Sequence, residues 1–158
     1  MHCESPTAMS SGKQEDNGIG IVVGDVTRFA KTVGETDVYL FAGITGDFSA
    51  NHVNEQEMQK TSIGKRIAHG ALLIGYMSAC STMMAQKAAL AGAKRVPLSL
   101  GFNRIRFIKP VFLGDTVNIE YVVVEIDLER RRARAAITVL NQTQETVAVA
   151  EHLLKWID

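Results

Sequence analysis

The chain has 158 residues, 46% of them hydrophobic and 22% charged, with 17 basic and 17 acidic side chains that cancel. That length predicts one domain with a core of its own. The balanced charge gives no electrostatic case for nucleic acid or a membrane surface as a partner.

Residues 1–20 are polar and rich in Ser and Gly, with no apolar segment of the kind a signal peptide carries. They read as a disordered leader to a domain over 21–158. Cys3 and Cys80 offer no disulfide framework, which suits a reducing cytoplasm. Ile19 to Val23 and Val26 to Val33 are β-branched runs and predict two strands, interrupted at Gly24-Asp25. Gly34 to Asp37 opens a short amphipathic helix, with Thr36 a candidate cap and Val38, Phe41, Ala42 and Thr45 at helical spacing. Gly46 ends it.

Asp47 and His52 stand five residues apart. On a helix that spacing turns about 500° and separates the side chains, and on a strand it sends them to opposite faces. Cooperation between them therefore requires an irregular bend through Ser49, Ala50 and Asn51, for which Ser and Asn are suited. Asn54 can cap a second short helix over Glu55 to Thr61, which Gly64 stops.

From Gly70 to Gln86 no side chain is charged. A helix apolar on nearly every side is buried on nearly every side, while seventeen residues with several hydroxyls make a poor membrane span. A core helix is expected. Beyond Gly92 the period changes to that of strands, in Leu98 to Ile108, Val117 to Val123, Arg134 to Leu140 and Thr146 to Trp156. Four strands with short turns predict an antiparallel meander, curled around the uncharged helix in an α+β fold.

Three stretches carry a family resemblance. They are Phe41-Ala42-Gly43-Ile44-Thr45-Gly46-Asp47-Phe48 leading to His52, then Arg66-Ile67-Ala68-His69-Gly70, then Lys109-Pro110-Val111-Phe112-Leu113-Gly114-Asp115. From about Gly24 onward the chain resembles the MaoC-like dehydratases, most of all the (R)-specific enoyl-CoA hydratases. The resemblance implies a hotdog fold, a homodimer and a place in fatty acid metabolism. It implies a hydro-lyase that adds water reversibly to a trans-2-enoyl-CoA, with an acyl-ACP thioester as the other carrier. Catalytic roles fall on Asp47 and His52, an oxyanion-binding amide on Gly70 and a supporting hydroxyl on Ser78. Where the family has Asn-Pro between the Asp and the His, this chain has Ser49-Ala50. Ser49 thus becomes the candidate for the water that the family's Asn helps to hold.

The chemistry asks for these groups. Hydration needs a base for water, an acid for the α-carbon and donors for the enolate-like oxygen between them. The free amides and positive dipole end of a helix N-terminus supply the last. Arg66, just ahead of that helix, is a candidate for the phosphates of coenzyme A, as is the run Arg130 to Arg132. His69 reads as a structural residue at a helix start. A serine hydrolase is disfavoured because no Gly-x-Ser-x-Gly elbow occurs, and no metal or other cofactor is expected from four scattered His and two distant Cys. A hotdog thioesterase and a non-catalytic acyl-CoA-binding subunit are the alternatives. The first lacks a carboxylate on the long helix, and only Ser49-Ala50 favours the second.

Overall fold

The structure, a computed structural model, describes residues 18–158. The expected leader lies outside the described residues as far as residue 17, whereas Ile19 and Ile21 are core residues, each 1% exposed. Ile19 to Val23 is not the strand its β-branched side chains predict. Gly18 and Gly20 both take φ of 70°, which breaks an extended run. Gly20 also lies so close to the Ala88 carbonyl that a β-carbon there would stand 2.4 Å from its oxygen.

Strand β1 (Val26–Thr32) leads to helix α1 (Glu35–Thr45), two single helical turns α2 (Ala50–Val53) and α3 (Glu55–Met58), and the long helix α4 (Gly70–Leu90). Strands β2 (Val96–Phe107), β3 (Thr116–Asp127), β4 (Arg132–Leu140) and β5 (Thr146–Ile157) follow. All five strands form one antiparallel sheet in the order β1-β3-β4-β5-β2. The expected four-strand meander is therefore only β3-β4-β5. Strand β2 crosses to the far edge beside β5, and β1 takes the place next to β3.

Alternation sets the buried face. Val117, Ile119, Tyr121 and Val123 on β3, and Ala133, Ala135, Ile137 and Val139 on β4, all point into the core. Against them α4 lays a stripe of Leu73, Met77, Cys80, Met84 and Ala88, at spacings of three and four residues. Thr27 on β1 ties its hydroxyl to the Cys80 carbonyl at 3.0 Å.

One expectation fails in part. The uncharged helix is not buried all round, since Ala71, Gly75, Ser78 and Thr82 are exposed. No helix among the described residues is long and apolar enough to cross a membrane.

Candidate active site

Helix α1 stops where Gly46 takes the left-handed conformation at φ 80°, with its amide on the Ala42 carbonyl. The chain then leaves the helix axis through Asp47, whose carboxylate accepts from the Ser49 amide at 3.3 Å. One helical turn, α2, carries His52 inward, so the predicted bend is real but spans only residues 47–49. Asn54 caps α3 by accepting from the Glu57 amide at 3.1 Å, as its sequence position predicts.

Two backbone contacts bring the three motifs together. The Ile67 amide donates to the Asn51 carbonyl at 3.0 Å, and the Ala68 amide donates to the Val111 carbonyl at 2.8 Å. The segment before α4 is thus held between the loop bearing His52 and the segment after β2. Two bulges in β2, where Gly101 has φ of 131° and Arg104 of 52°, redirect the strand before Phe107. Phe107 then lies against Gly70.

The side chains of Asp47, His52 and His69 converge, with one donor atom of each within 4.8 Å of the others. His52 is 7% exposed, while Asp47 is open to solvent. His52 Nδ1 lies 2.8 Å from the Ile67 carbonyl, which can only accept. Nδ1 therefore carries the proton and Nε2 is the basic nitrogen, with Asn51 Nδ2 at 3.3 Å from it. His69, 1% exposed, lies face to face with His52 at a centroid distance of 3.7 Å and an interplanar angle of 27°. Imidazoles that share a metal ion aim their in-plane lone pairs at one point, and two rings stacked this way do not. The trio fits proton chemistry better than metal ligation.

A cavity of about 440 Å³ opens beside this cluster. His52, Gly70 and Ala71 form one part of its wall, and Phe107, Ile108 and Pro110 another. Its lining is mostly apolar, the Gly70 amide precedes the helix's own hydrogen-bond ladder while the Leu72 amide already reaches the His69 carbonyl at 3.1 Å, and the helix dipole is positive at that end. The site can therefore accept an apolar chain and stabilise a developing oxyanion next to a base.

Other predicted residues fall elsewhere. Ser49 is exposed and touches Asp47 through its backbone. Ser78 lies on the exposed face of α4, about 12 Å along the axis from Gly70. Arg66 is tied to Glu35 at 2.6 Å and to Glu55 at 3.2 Å, and none of Ser49, Arg66, Ser78 or Asp47 lines the cavity. Arg132 pairs with Lys155 on β5 while Phe107 pairs with Ala148, seven residues away, so about 23 Å of strand separates the arginine run from the cavity. The residue whose place the sequence did not disclose is His69, for its contacts come from the fold and not from its neighbours in the chain.

The family model of the MaoC like domain matches residues 21–147. The chain belongs to the MaoC-like dehydratase family. It is 38% identical over 108 residues to the (R)-specific enoyl-CoA hydratase of Rhodospirillum rubrum, covering 68% of this chain and 69% of that protein. It is 35% identical over 133 residues to the 3-hydroxybutyryl-CoA dehydratase of Methylorubrum extorquens, covering 84% and 79%. Among solved structures, the R-hydratase PhaJ1 from Pseudomonas aeruginosa in the unliganded form superposes with a TM-score of 0.72 at 29% identity, covering 87% of this chain and 83% of that one. With this MaoC-like dehydratase the fold is a hotdog, the sheet-wrapped helix that the sequence predicts.

Proposed function

We propose that this MaoC-like dehydratase is an enoyl-CoA hydratase, adding water reversibly to a trans-2-enoyl-CoA to give the (R)-3-hydroxyacyl-CoA. The observation that carries the reading is the convergence of Asp47 and His52 beside the first turn of α4 and an apolar cavity. The (R)-specific hydratase and 3-hydroxybutyryl-CoA dehydratase among its relatives support the substrate class.

Asp47 and His52 together take a proton from water. Its oxygen bonds to the β-carbon as the π electrons move towards the thioester, and the Gly70 amide donates to the oxygen that gains charge. The same pair returns a proton to the α-carbon, so that water is added and nothing else is consumed. Ser49 supports the Asp47 carboxylate through its amide. Arg66 acts from the helix side of the site, and Ser78 contacts substrate only beyond the cavity described above.

The working unit is a homodimer in the cytoplasm. Edge strand β2 exposes Val96, Leu98 and Leu100, and the exposed residues in the first half of α4, Ala71, Gly75, Ser78 and Thr82, are small and uncharged, which suits a second copy better than water.

The test follows enoyl absorbance and free thiol separately, with crotonyl-CoA and longer enoyl-CoAs. Loss of the enoyl signal without thiol release is expected. Asp47→Asn and His52→Ala should each lower kcat by about 10²- to 10⁴-fold while leaving the protein folded. Thiol release would make the protein a thioesterase, and no change on any chain length would leave it a binding subunit.

A further inference from the structure

The hydration chemistry uses Asp47, His52 and Gly70 and leaves His69 without a task. We propose that His69 is a positioning residue that locks the Asp47 backbone and the His52 ring into one unit. The proposal rests on the hydratase reading, from which Asp47 and His52 take their roles.

Two contacts of different kind carry it. His69 Nε2 lies 2.9 Å from the Asp47 carbonyl, so Nε2–H donates and fixes the exit of the chain from α1. The face of the same ring covers His52 at 3.7 Å, and Phe41 lies against it at 4.8 Å. Asp47 and His52 belong to different elements, and His69 touches both.

The tautomer follows from these contacts. With Nε2 donating, Nδ1 carries the lone pair, and that atom is buried with no hydrogen-bond partner among the described residues. That atom meets no acceptor to which a proton could be handed, so His69 has no route into the proton exchange of His52. The ring over His52 also offers the imidazolium a π face at the moment it forms. His69 thereby holds the geometry of the pair without entering the proton transfer.

Three variants separate the contacts. His69→Ala removes both, His69→Gln keeps a donor for the Asp47 carbonyl, and His69→Phe keeps the stacked ring. For His69→Ala, kcat should fall about 10²-fold with KM little changed, because a loosened pair loses orientation and not binding. Gln and Phe should each recover part of the loss. The imidazole limb of the pH–kcat profile should move to lower pH in Ala and Gln, where the π face is gone, and stay in place in Phe.

Nitrogen-15 spectra of the wild-type imidazoles test the same claim without turnover. His69 should hold its proton on Nε2 and His52 on Nδ1. A wild-type spectrum with His69 protonated on Nδ1 would overturn the proposal. So would a folded His69→Phe enzyme with wild-type kcat, since filling space would then suffice. If His69→Ala does not fold, the Phe variant and the wild-type spectrum decide. A wild-type protein that hydrates no enoyl-CoA would sink the functional reading alone, because the tautomers report on positioning independently.

Discussion

The ring of Phe107 lies against Gly70 so closely that a β-carbon on that glycine would stand 2.6, 2.7 and 2.9 Å from three of its atoms. Contacts that short do not persist, so the ring must yield, and at 51% exposure it has room to turn. Gly70→Ala should therefore rotate Phe107 within the cavity wall and lower kcat/KM for enoyl-CoA. Stability should change by less than about 1 kcal/mol, because alanine gains helix propensity where the displaced ring loses contact. Phe107→Ala in the Gly70→Ala background should restore part of the activity. Steady-state kinetics and melting curves on the four proteins of the cycle check this, and strictly additive effects would contradict it.

Arg66 offers a second test, between a strut and a phosphate contact. Its guanidinium reaches Glu35 on α1, Glu55 on α3 and the Tyr39 hydroxyl, and its amide donates to Glu55. The Arg66 amide, followed by its guanidinium, holds the Glu55 carboxyl below its ordinary range. The same residue lies three before His69, so the strut fixes α1 and α3 relative to the start of α4. Arg66→Ala and Glu55→Gln should lower kcat in parallel. A contact to coenzyme A would instead raise KM in Arg66→Ala and leave Glu55→Gln unaffected, which substrate titrations of the two variants distinguish.

These two cases mark what the sequence discloses and what it does not. Spacing alone excluded one regular element carrying both Asp47 and His52, although the helical turn over Ala50–Val53 went unread, and Gly46 and Asn54 announced a helix end and a helix start in their own chemistry. Alternation in β3 named the buried face because it is a local property, whereas Leu98 and Leu100 on β2 alternate too and are exposed. Neighbour order is not local, and nothing along β2 says that it pairs with β5 and not β3. Likewise, the absence of charge on α4 predicted burial, yet the side bearing Gly75 and Ser78 is open in the single chain. His69 was legible as a histidine at a helix start and no more. Its meaning depends on the carbonyl of Asp47, 22 residues earlier.

The departure from the family pattern at Ser49-Ala50 yields a third prediction. Ser49 is exposed, and the carboxamide near the basic nitrogen belongs to Asn51, a cavity-lining residue whose Nδ2 lies 3.3 Å from His52 Nε2. Asn51→Leu should lower kcat about tenfold or more by removing that polar neighbour, with the fold kept by a side chain of similar volume. Ser49→Ala should change little, because the amide that meets Asp47 is backbone. Asn51→Asp places a carboxylate beside the imidazole and should move the His52 limb of the pH–rate profile to higher pH. A Ser49→Ala enzyme more impaired than Asn51→Leu would reverse the assignment.

Away from the site, His152 makes stability depend on pH. Its ring is 1% exposed, with Nδ1 at 2.9 Å from the Tyr121 hydroxyl, Nε2 at 2.8 Å from the Ser99 hydroxyl and Phe102 stacked at 4.3 Å. Burial pushes its pKa down from 6.5 to about 4. The unfolded chain keeps the higher value, so between these two pH values it binds the proton that the folded protein refuses. Stability is therefore full above about pH 6.5 and falls as pH drops towards 4, by about 3 kcal/mol in all and about 2 kcal/mol by pH 5. Urea unfolding at about pH 7.5 and pH 5 should show this loss in the wild type. His152→Gln keeps polar atoms for Tyr121 and Ser99 but has no proton to gain. It should start less stable at the higher pH and lose much less on acidification. An equal loss in both proteins would place the sensitivity in other groups.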